Sequence, residues 1–349
     1  MKKILLLLIL IIPLNVLAIS TSAESAILMD IDNNRILYAD NIHDVRSVAS
    51  ISKVMTAVVA IESGKLDDTV VINESIKKAY GSGIYIQVGE EMTLRDLVYG
   101  LMLRSGNDAA YAIADYVGKD EFVLMMNHKA QEIGMKNTTF NNPCGLDEDK
   151  GNYSTAYDMA ILTSYAMKLD EYKKITNTKV YKLNTNKNSY FWINKHKLIG
   201  KNEYVNGGKT GFTKKAKRTL ITTGSKDNLS LVAVTLNDGN DFKDHVELLN
   251  YGFDNYKNYK LANAGELNIY DDIYYGVYKL SIKDDIYYPL KIDDDVLLKY
   301  ELNDVPTEGI TGALIVIVND KEVLRKSIYC EKIKNTNKKS FLDRLKELW

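Results

Sequence analysis

Little in this chain invites metal or disulfide chemistry. Only two cysteines, Cys144 and Cys330, occur in 349 residues. They stand far apart and without metal-type spacing, so the sequence predicts two buried or partly buried thiols rather than a disulfide. The four histidines, His43, His128, His196 and His245, show no zinc-ligand pattern. Neither sign of charge dominates: 45 Lys and Arg against 46 Asp and Glu give a formal net charge of -1, which speaks against a nucleic-acid partner. No Gly-x-Ser-x-Gly elbow appears, which removes one familiar setting for a nucleophilic serine. A long apolar run is missing too, because the stretch Ile4 to Leu14 is short and interrupted by Pro13.

That short run has a different reading. Lys2 and Lys3 precede it, and small-residue sites follow at Val16-Leu17-Ala18 and Thr21-Ser22-Ala23, the pattern of a secretory signal peptide over residues 1–23, cut after Ala18 or Ala23. The rest has the composition of an ordinary globular protein, 46% hydrophobic and 26% charged. Its length is comfortable for two domains.

The chain is organised around Arg46-Ser47-Val48-Ala49-Ser50-Ile51-Ser52-Lys53. Val54, Met55, Val58, Val59 and Ile61 recur at helical spacing, with no Gly or Pro before Gly64, so a helix is expected here with Ser50 in its first turn. Residues three apart share a helix face, which brings the Lys53 amine within reach of the Ser50 hydroxyl. A lysine can take a serine's proton only if its pKa is lowered, and both burial and the positive end of a helix dipole favour the free amine. The spacing alone decides nothing, since Ser75-Ile76-Lys77-Lys78 repeats it in what reads as an exposed polar stretch.

A strand pair around Asp32-Asn33-Asn34 is expected before that helix. Turn signals at Gly81-Ser82-Gly83 and Gly89-Glu90 lead to a helix Leu94 to Leu103, then a polar break Arg104-Ser105-Gly106-Asn107-Asp108, then a helix Ala109 to Val117. The break is an ordinary helix-helix turn or a second serine and an amide aimed at the nucleophile. Further helices are expected over Phe122 to Ile133 and from Thr155, as N-cap, to about Met167, with a loop at Asn142 to Asp147 between them. Lys209-Thr210-Gly211 opens a region of strand-like runs, Thr219 to Thr223 and Leu229 to Leu236, and a helix His245 to Tyr251 closes it. Beyond Lys257, Tyr278-Leu280-Ile282 and Leu298-Tyr300-Leu302 alternate with polar residues, as half-buried strands do, and a hairpin turns at Asn319-Asp320. In the tail, Lys332, Lys334, Lys338 and Lys339 precede Phe341, Leu342, Leu345, Leu348 and Trp349 on one helical face, a segment suited to a membrane surface or to docking on the β-rich part.

Ser50-x-x-Lys53, Ser105-Gly106-Asn107 and Lys209-Thr210-Gly211 together resemble the penicillin-binding proteins in order and approximate spacing. With Asn142-Pro143-x-Gly145-Leu146-Asp147 and Thr155-Ala156-x-Asp158, the chain resembles a low-molecular-mass serine D-Ala-D-Ala carboxypeptidase over most of its length. That resemblance implies an α/β (α+β) fold of the serine β-lactamase/transpeptidase type. An antiparallel sheet flanked by helices would occupy 24–256, a small all-β domain 257–330, and a basic linker with an amphipathic helix 331–349.

The resemblance also implies roles. Ser50 would attack the carbonyl between the terminal D-alanines of a peptidoglycan stem peptide while Lys53 takes its proton. Ser105 and Asn107 would relay a proton and hold the substrate amide. Lys209, Thr210, Gly211 and Thr213 would receive the carboxylate end, and the backbone N–H groups of Ser50 and Phe212 would form the oxyanion hole. β-Lactams would be covalent inhibitors, no metal or other cofactor would be needed, and the protein would act at the outer face of the cytoplasmic membrane, held there by its C-terminal helix. Cys144, His196 and Lys217 depart from common residues of the family. A β-lactamase ranks lower because no deacylating glutamate is identifiable, while an endopeptidase of wall cross-links and a catalytically weak wall-binding scaffold remain alternatives.

Overall fold

The computed structural model describes residues 19–147 and 150–333. Residues 1–18, the bulk of the expected leader, and 334–349, with the expected amphipathic helix, lie outside them. A five-stranded, wholly antiparallel sheet runs through the centre in the order β2-β1-β5-β4-β3: β1 (Ala23–Asp30), β2 (Ile36–Asp40), β3 (Val205–Thr213), β4 (Lys217–Lys226) and β5 (Leu229–Asp238). Seven α-helices accompany it among the described residues: α1 (Lys53–Glu62), α2 (Leu94–Arg104), α3 (Asn107–Val117), α4 (Phe122–Glu132), α5 (Ala156–Ala166), α6 (Asp170–Asn177) and α7 (Asp241–Asn255).

The inner strands of the sheet are buried on both faces because both faces are covered. In β1, Ile27 and Met29 join the core built with α1 to α6, whereas Leu28 between them packs with Leu231, Leu248 and Leu249 under α7. The inner strands β1, β4 and β5 therefore carry continuous buried runs, Ala26 to Asp30 among them, whereas the edge strands β2 and β3 are only partly buried. Helix boundaries follow local chemistry. Thr93 and Asp96 form a reciprocal capping box that starts α2, and the Thr155 hydroxyl accepts from Asp158 N at 3.0 Å to start α5. The α2–α3 break is made by Ser105, held at φ 60. The stretch carrying Ser50 departs slightly from expectation: Ala49–Ser52 is one 3-10 turn, and the α-helix proper begins at Lys53.

From Lys257 onward the chain is β-rich. A second five-stranded antiparallel sheet, in the order Gly265–Leu267, Tyr278–Ile282, Lys321–Lys332, Gly309–Val318, Val296–Leu302, has its own core of Leu280, Ile286, Leu314, Val316 and Ile328. Asn319 and Asp320 turn its long hairpin at φ 49 and 61, the left-handed pair such a two-residue loop requires. The expected half-burial of Leu298 and Tyr300 does not occur. They are 40% and 43% exposed, because Val296–Leu302 is the edge strand and the core beneath the sheet does not extend under its middle. Arg35, in the β1–β2 turn, ties this region to the central sheet through an ion pair with Asp294 at 2.8 Å and by lying over the Tyr256 and Tyr288 rings. Cys144 and Cys330 are free, buried thiols, as expected. Among the described residues no helix is long and apolar enough to cross a membrane.

Thr155→Ala leaves the first turn of α5 without its side-chain acceptor at a fully buried position, and should lower stability by about 1 to 2 kcal/mol. Thermal unfolding of the two proteins measures this; equal midpoints would show that the cap contributes nothing.

Candidate active site

Four separate segments converge around the Lys53 amine, three of them in contact with it. Its Nζ lies 2.9 Å from Ser50 Oγ, one turn back in its own chain, and 2.7 Å from Asn107 Oδ1 at the start of α3. It also contacts the backbone carbonyl oxygen of Cys144, in the Asn142 to Asp147 loop. The fourth segment is the 80–85 loop, where Tyr80 O accepts from Asn107 Nδ2 at 2.6 Å, an acceptor that fixes which end of the Asn107 amide faces the lysine. Asp108 secures that loop by accepting from the N–H groups of Ile84 and Tyr85.

Lys53 is fully buried, and that burial pushes its pKa down to about 8, with the positive charge of Lys195 acting the same way; Cys144 and Asp108 oppose the shift. The protonation state changes the direction of one bond. As an ammonium, Lys53 donates to all three oxygens. As a free amine it has two hydrogens, and two of its neighbours, the Asn107 amide oxygen and the Cys144 carbonyl, can only accept. The remaining lone pair then faces the Ser50 hydroxyl, which donates to it. The geometry thus places an amine lone pair where it can accept the serine proton.

Strand β3, the sheet edge, forms the opposite wall. Gly208 has both its N–H and its C=O bonded to the Thr176 hydroxyl of α6, at 2.9 and 3.1 Å, so its peptide groups point away from β4. Strand alternation turns the N–H groups of Thr210 and Phe212 the same outward way. Gly211 permits the close approach: a Cβ there would sit 2.3 Å from Thr219 Oγ1 and 3.1 Å from the backbone nitrogens of Ser50 and Ile51. Gly145 is required similarly, at φ +80, where a Cβ would fall 2.1 Å from Ala49 O. Ala49, just before Ser50, itself takes φ 48 although it is not glycine, a strained conformation of the kind that costs on the order of 1–3 kcal/mol.

Lys209 is buried beside this wall and donates to Thr210 O at 2.7 Å. Its pKa falls well below the ordinary lysine value through burial, then through the charges of Lys53 and Lys195. Three lysines thus share one cleft, a setting in which an incoming anion replaces their mutual repulsion with attraction.

The predicted residues are not all engaged alike. Ser50, Lys53 and Asn107 are in direct contact. Ser105 is buried at the α2–α3 junction, and Ser50 and Lys53 hydrogen-bond to other partners rather than to it. Thr213 gives its proton to Asp147 Oδ2 and accepts from Ala216 N at 2.9 Å, so its hydroxyl braces the strand end against the Asn142 to Asp147 loop. The second Ser-x-x-Lys is a short 3-10 turn with Ser75 half-buried and both Lys77 and Lys78 exposed, and Lys77 pairs with Glu74.

Three contributors escaped the sequence reading. Lys195, Nζ 3.2 Å from Ser82 Oγ, supplies the third positive charge. Helix α6 braces β3, and its signal was present as Asp170 and Glu171 at one end and Lys174 near the other. The hairpin Val180–Asn184 with Ser189–Ile193 was legible as alternation about Asn186-Lys187-Asn188. The departures have structural answers. At Cys144 the backbone oxygen meets Lys53, while the thiol lies 3.3 Å from Asn142 Oδ1. His196 is a buried neutral imidazole whose Nε2 lies 3.0 Å from Ile221 O, beneath Gly208. Lys217 adopts φ 57, a conformation that favours glycine. A groove of about 600 Å³ between α1 and α4, lined by Val59, Leu124, Met125 and His128, includes none of these residues. Among the described residues no cluster of His, Cys, Asp and Glu is arranged to hold a metal ion.

Comparison with known proteins agrees with the motifs. A family profile described as D-alanyl-D-alanine carboxypeptidase matches residues 14–240. The D-alanyl-D-alanine carboxypeptidase DacF of Bacillus subtilis is 35% identical over 255 residues, covering 70% of this chain and 65% of that protein. DacA of Haemophilus influenzae, of the same description, is 33% identical over 277 residues, covering 73% of this chain and 68% of that protein. The chain therefore spans about two thirds of the length of these relatives. Among solved structures, penicillin binding protein 5 of Haemophilus influenzae superposes with a TM-score of 0.77 at 28% identity, over 89% of this chain and 97% of that one. A D-alanyl-D-alanine carboxypeptidase from Mycobacterium tuberculosis gives 0.65 at 28% identity, over 67% and 92%.

The depressed pKa of Lys53 has a consequence for stability. Between about 8 and the ordinary 10.5 the unfolded chain binds a proton at this site that the folded chain does not, so folding becomes more favourable as pH rises through that window. Lys53→Met removes the contribution. The stability difference between wild type and variant should shift towards the wild type by up to about 3 kcal/mol between pH 8 and pH 10.5, in urea unfolding; a difference independent of pH would contradict a buried, easily deprotonated amine.

Proposed function

The chain belongs to the D-alanyl-D-alanine carboxypeptidase family, and from that premise we propose that it removes the terminal D-alanine from peptidoglycan stem peptides through an acyl-enzyme on Ser50. The observation that carries this reading is the Lys53 amine, 2.9 Å from the Ser50 hydroxyl, with both of its remaining hydrogens engaged by acceptors.

Ser50 Oγ adds to the carbonyl carbon of the penultimate D-alanine as its proton passes to Lys53 Nζ. The developing oxyanion lies between the backbone N–H groups of Ser50 and Phe212. The closeness of Gly211 to Ser50 N and the outward direction of the Phe212 N–H support that assignment, and losing one such donor typically costs about 2.7 to 4 kcal/mol. The substrate's terminal carboxylate sits against Lys209 and Thr210, with the charge of Lys195 close by. Collapse of the tetrahedral intermediate expels D-alanine as an amine, which takes a proton from Lys53 directly or by way of Ser105. Asn107 holds Lys53 through its oxygen, so its part is orientation of the base as well as contact with the substrate amide. Water then adds to the ester with Lys53 again as base, and Ser50 is released. β-Lactams, whose strained amide stands in for the scissile bond, acylate the same hydroxyl.

Such a substrate lies outside the cytoplasm. Export rests on the lysine-led apolar segment at the start of the sequence, and attachment to the outer face of the cytoplasmic membrane on the helical spacing, in the sequence, of Phe341, Leu342, Leu345, Leu348 and Trp349 after a run of lysines.

Mature protein should release D-alanine from a pentapeptide ending in D-Ala-D-Ala, and Ser50→Ala should release none. The acylation rate should rise with pH through an apparent pKa of about 8, because only the free amine accepts the serine proton. Release that survives Ser50→Ala, or a rate that falls as pH rises from 7 to 9, would contradict the mechanism. Deleting Phe341 to Trp349 should move the protein from the membrane fraction to the soluble fraction with activity retained; a truncated protein that still sediments with membranes would sink the anchor.

A further inference from the structure

Two small-residue sites follow the apolar leader, ending at Ala18 and Ala23, and by sequence either could be the point of cutting. The residues between them are part of the folded chain. Ser22 N donates to Asp244 Oδ2 at 2.6 Å, and Ser22 Oγ lies 2.7 Å from Asp238 Oδ1 and 2.9 Å from Asp244 Oδ2. The same hydroxyl oxygen accepts from Asn240 N at 3.0 Å. Asp238 ends β5, Asn240 caps α7 and Asp244 lies in its first turn, so one serine joins the end of a central strand to the start of the covering helix. Both carboxyl groups are buried, with Asp238 1% and Asp244 5% exposed. Ala23 pairs across from Asp238 as the first residue of β1, and Ile19 packs against the core under α7.

Two buried carboxyl groups that share a donor depend on that donor. A cut after Ala23 takes Ser22 away, and with it the N–H that Asp244 uses and the hydroxyl that sits between the two acids. What remains is a pair of desolvated like charges with fewer partners. Burial already raises Asp238 above the ordinary carboxylate range, and the nearby Asp244 charge acts the same way. A cut after Ala18 leaves every one of these bonds in place.

We propose that the exported chain is processed by hydrolysis of the Ala18–Ile19 peptide bond, and that residues 19–23 remain as a strap joining β5 to α7. Water supplies the hydroxyl that completes the Ala18 carboxyl group, and the Ile19 nitrogen leaves as an α-amine that takes up a proton. The cleaving enzyme is a peptidase that reads small residues at the cut and two positions before it, met here by Ala18 and Val16. This rests on the export reading given above.

The test is expression of the full chain in a bacterial host that processes exported proteins, followed by N-terminal sequencing and intact-mass measurement of the exported product. Ile19 as first residue is expected. Glu24 as first residue overturns the proposal while leaving export intact; a product that keeps Met1 overturns the export reading itself, and the processing site with it. Ser22→Ala, exported in the same way, should also begin at Ile19 but unfold several degrees lower. An unchanged melting temperature overturns the strap, whatever the first residue.

Discussion

The site depends on the desolvation of one amine. Lys53 is buried where an ammonium is costly, so the protein holds it near the point of deprotonation. Everything close to it follows from that condition. Two acceptors that cannot donate take its hydrogens, and the lone pair is left for the one neighbour that can give a proton. Had either acceptor been a hydroxyl, the direction of the Ser50 bond would have been open. The acceptors come from separate parts of the chain, a side chain at the start of α3 and a backbone carbonyl in the Asn142 to Asp147 loop, so aiming the base requires the helical layers to be packed correctly.

The second constraint is proximity between backbones. Strand β3 has to pass close to the 3-10 turn that carries Ser50, and Gly211 leaves room for this. Gly145 does the same on the opposite side, where the loop bearing the Cys144 carbonyl passes Ala49. The turn carries strain of its own, since Ala49 has a positive φ, and it is held by Thr219 Oγ1 donating to Val48 O at 3.1 Å and Thr56 Oγ1 donating to Pro143 O at 2.6 Å. An edge strand normally risks pairing with another chain. Here its outer side is taken by Thr176 at Gly208, which leaves only the peptide groups of Thr210 and Phe212 turned towards the cleft.

Much of this was legible before any coordinates. The helix after Ser50, the broken pair α2 and α3, the strand pair around Asp32 and the hairpin at Asn319-Asp320 all follow from periodicity and turn chemistry, which are local. Where the reading missed, tertiary packing was the reason. Leu298 and Tyr300 alternate with polar residues as a half-buried strand should, yet no layer lies beneath the middle of that edge strand. For Thr213, expected at the substrate carboxylate, folding adds a contact that sequence could not show, its hydroxyl donating to Asp147, 66 residues away in sequence. Cys144 looked like a departure from a pattern, and only folding reveals that its carbonyl is the atom in use.

The sequence by itself supplied a candidate serine, a lysine one helical turn away, the Lys209-Thr210-Gly211 motif and the alternation of helix and strand, because each is a matter of neighbours along the chain. The four-residue spacing alone could not distinguish Ser50-x-x-Lys53 from Ser75-x-x-Lys78, since both bring a serine and a lysine to one face. Tertiary structure made that choice. It buried one amine among acceptors and left Lys78 exposed at the surface.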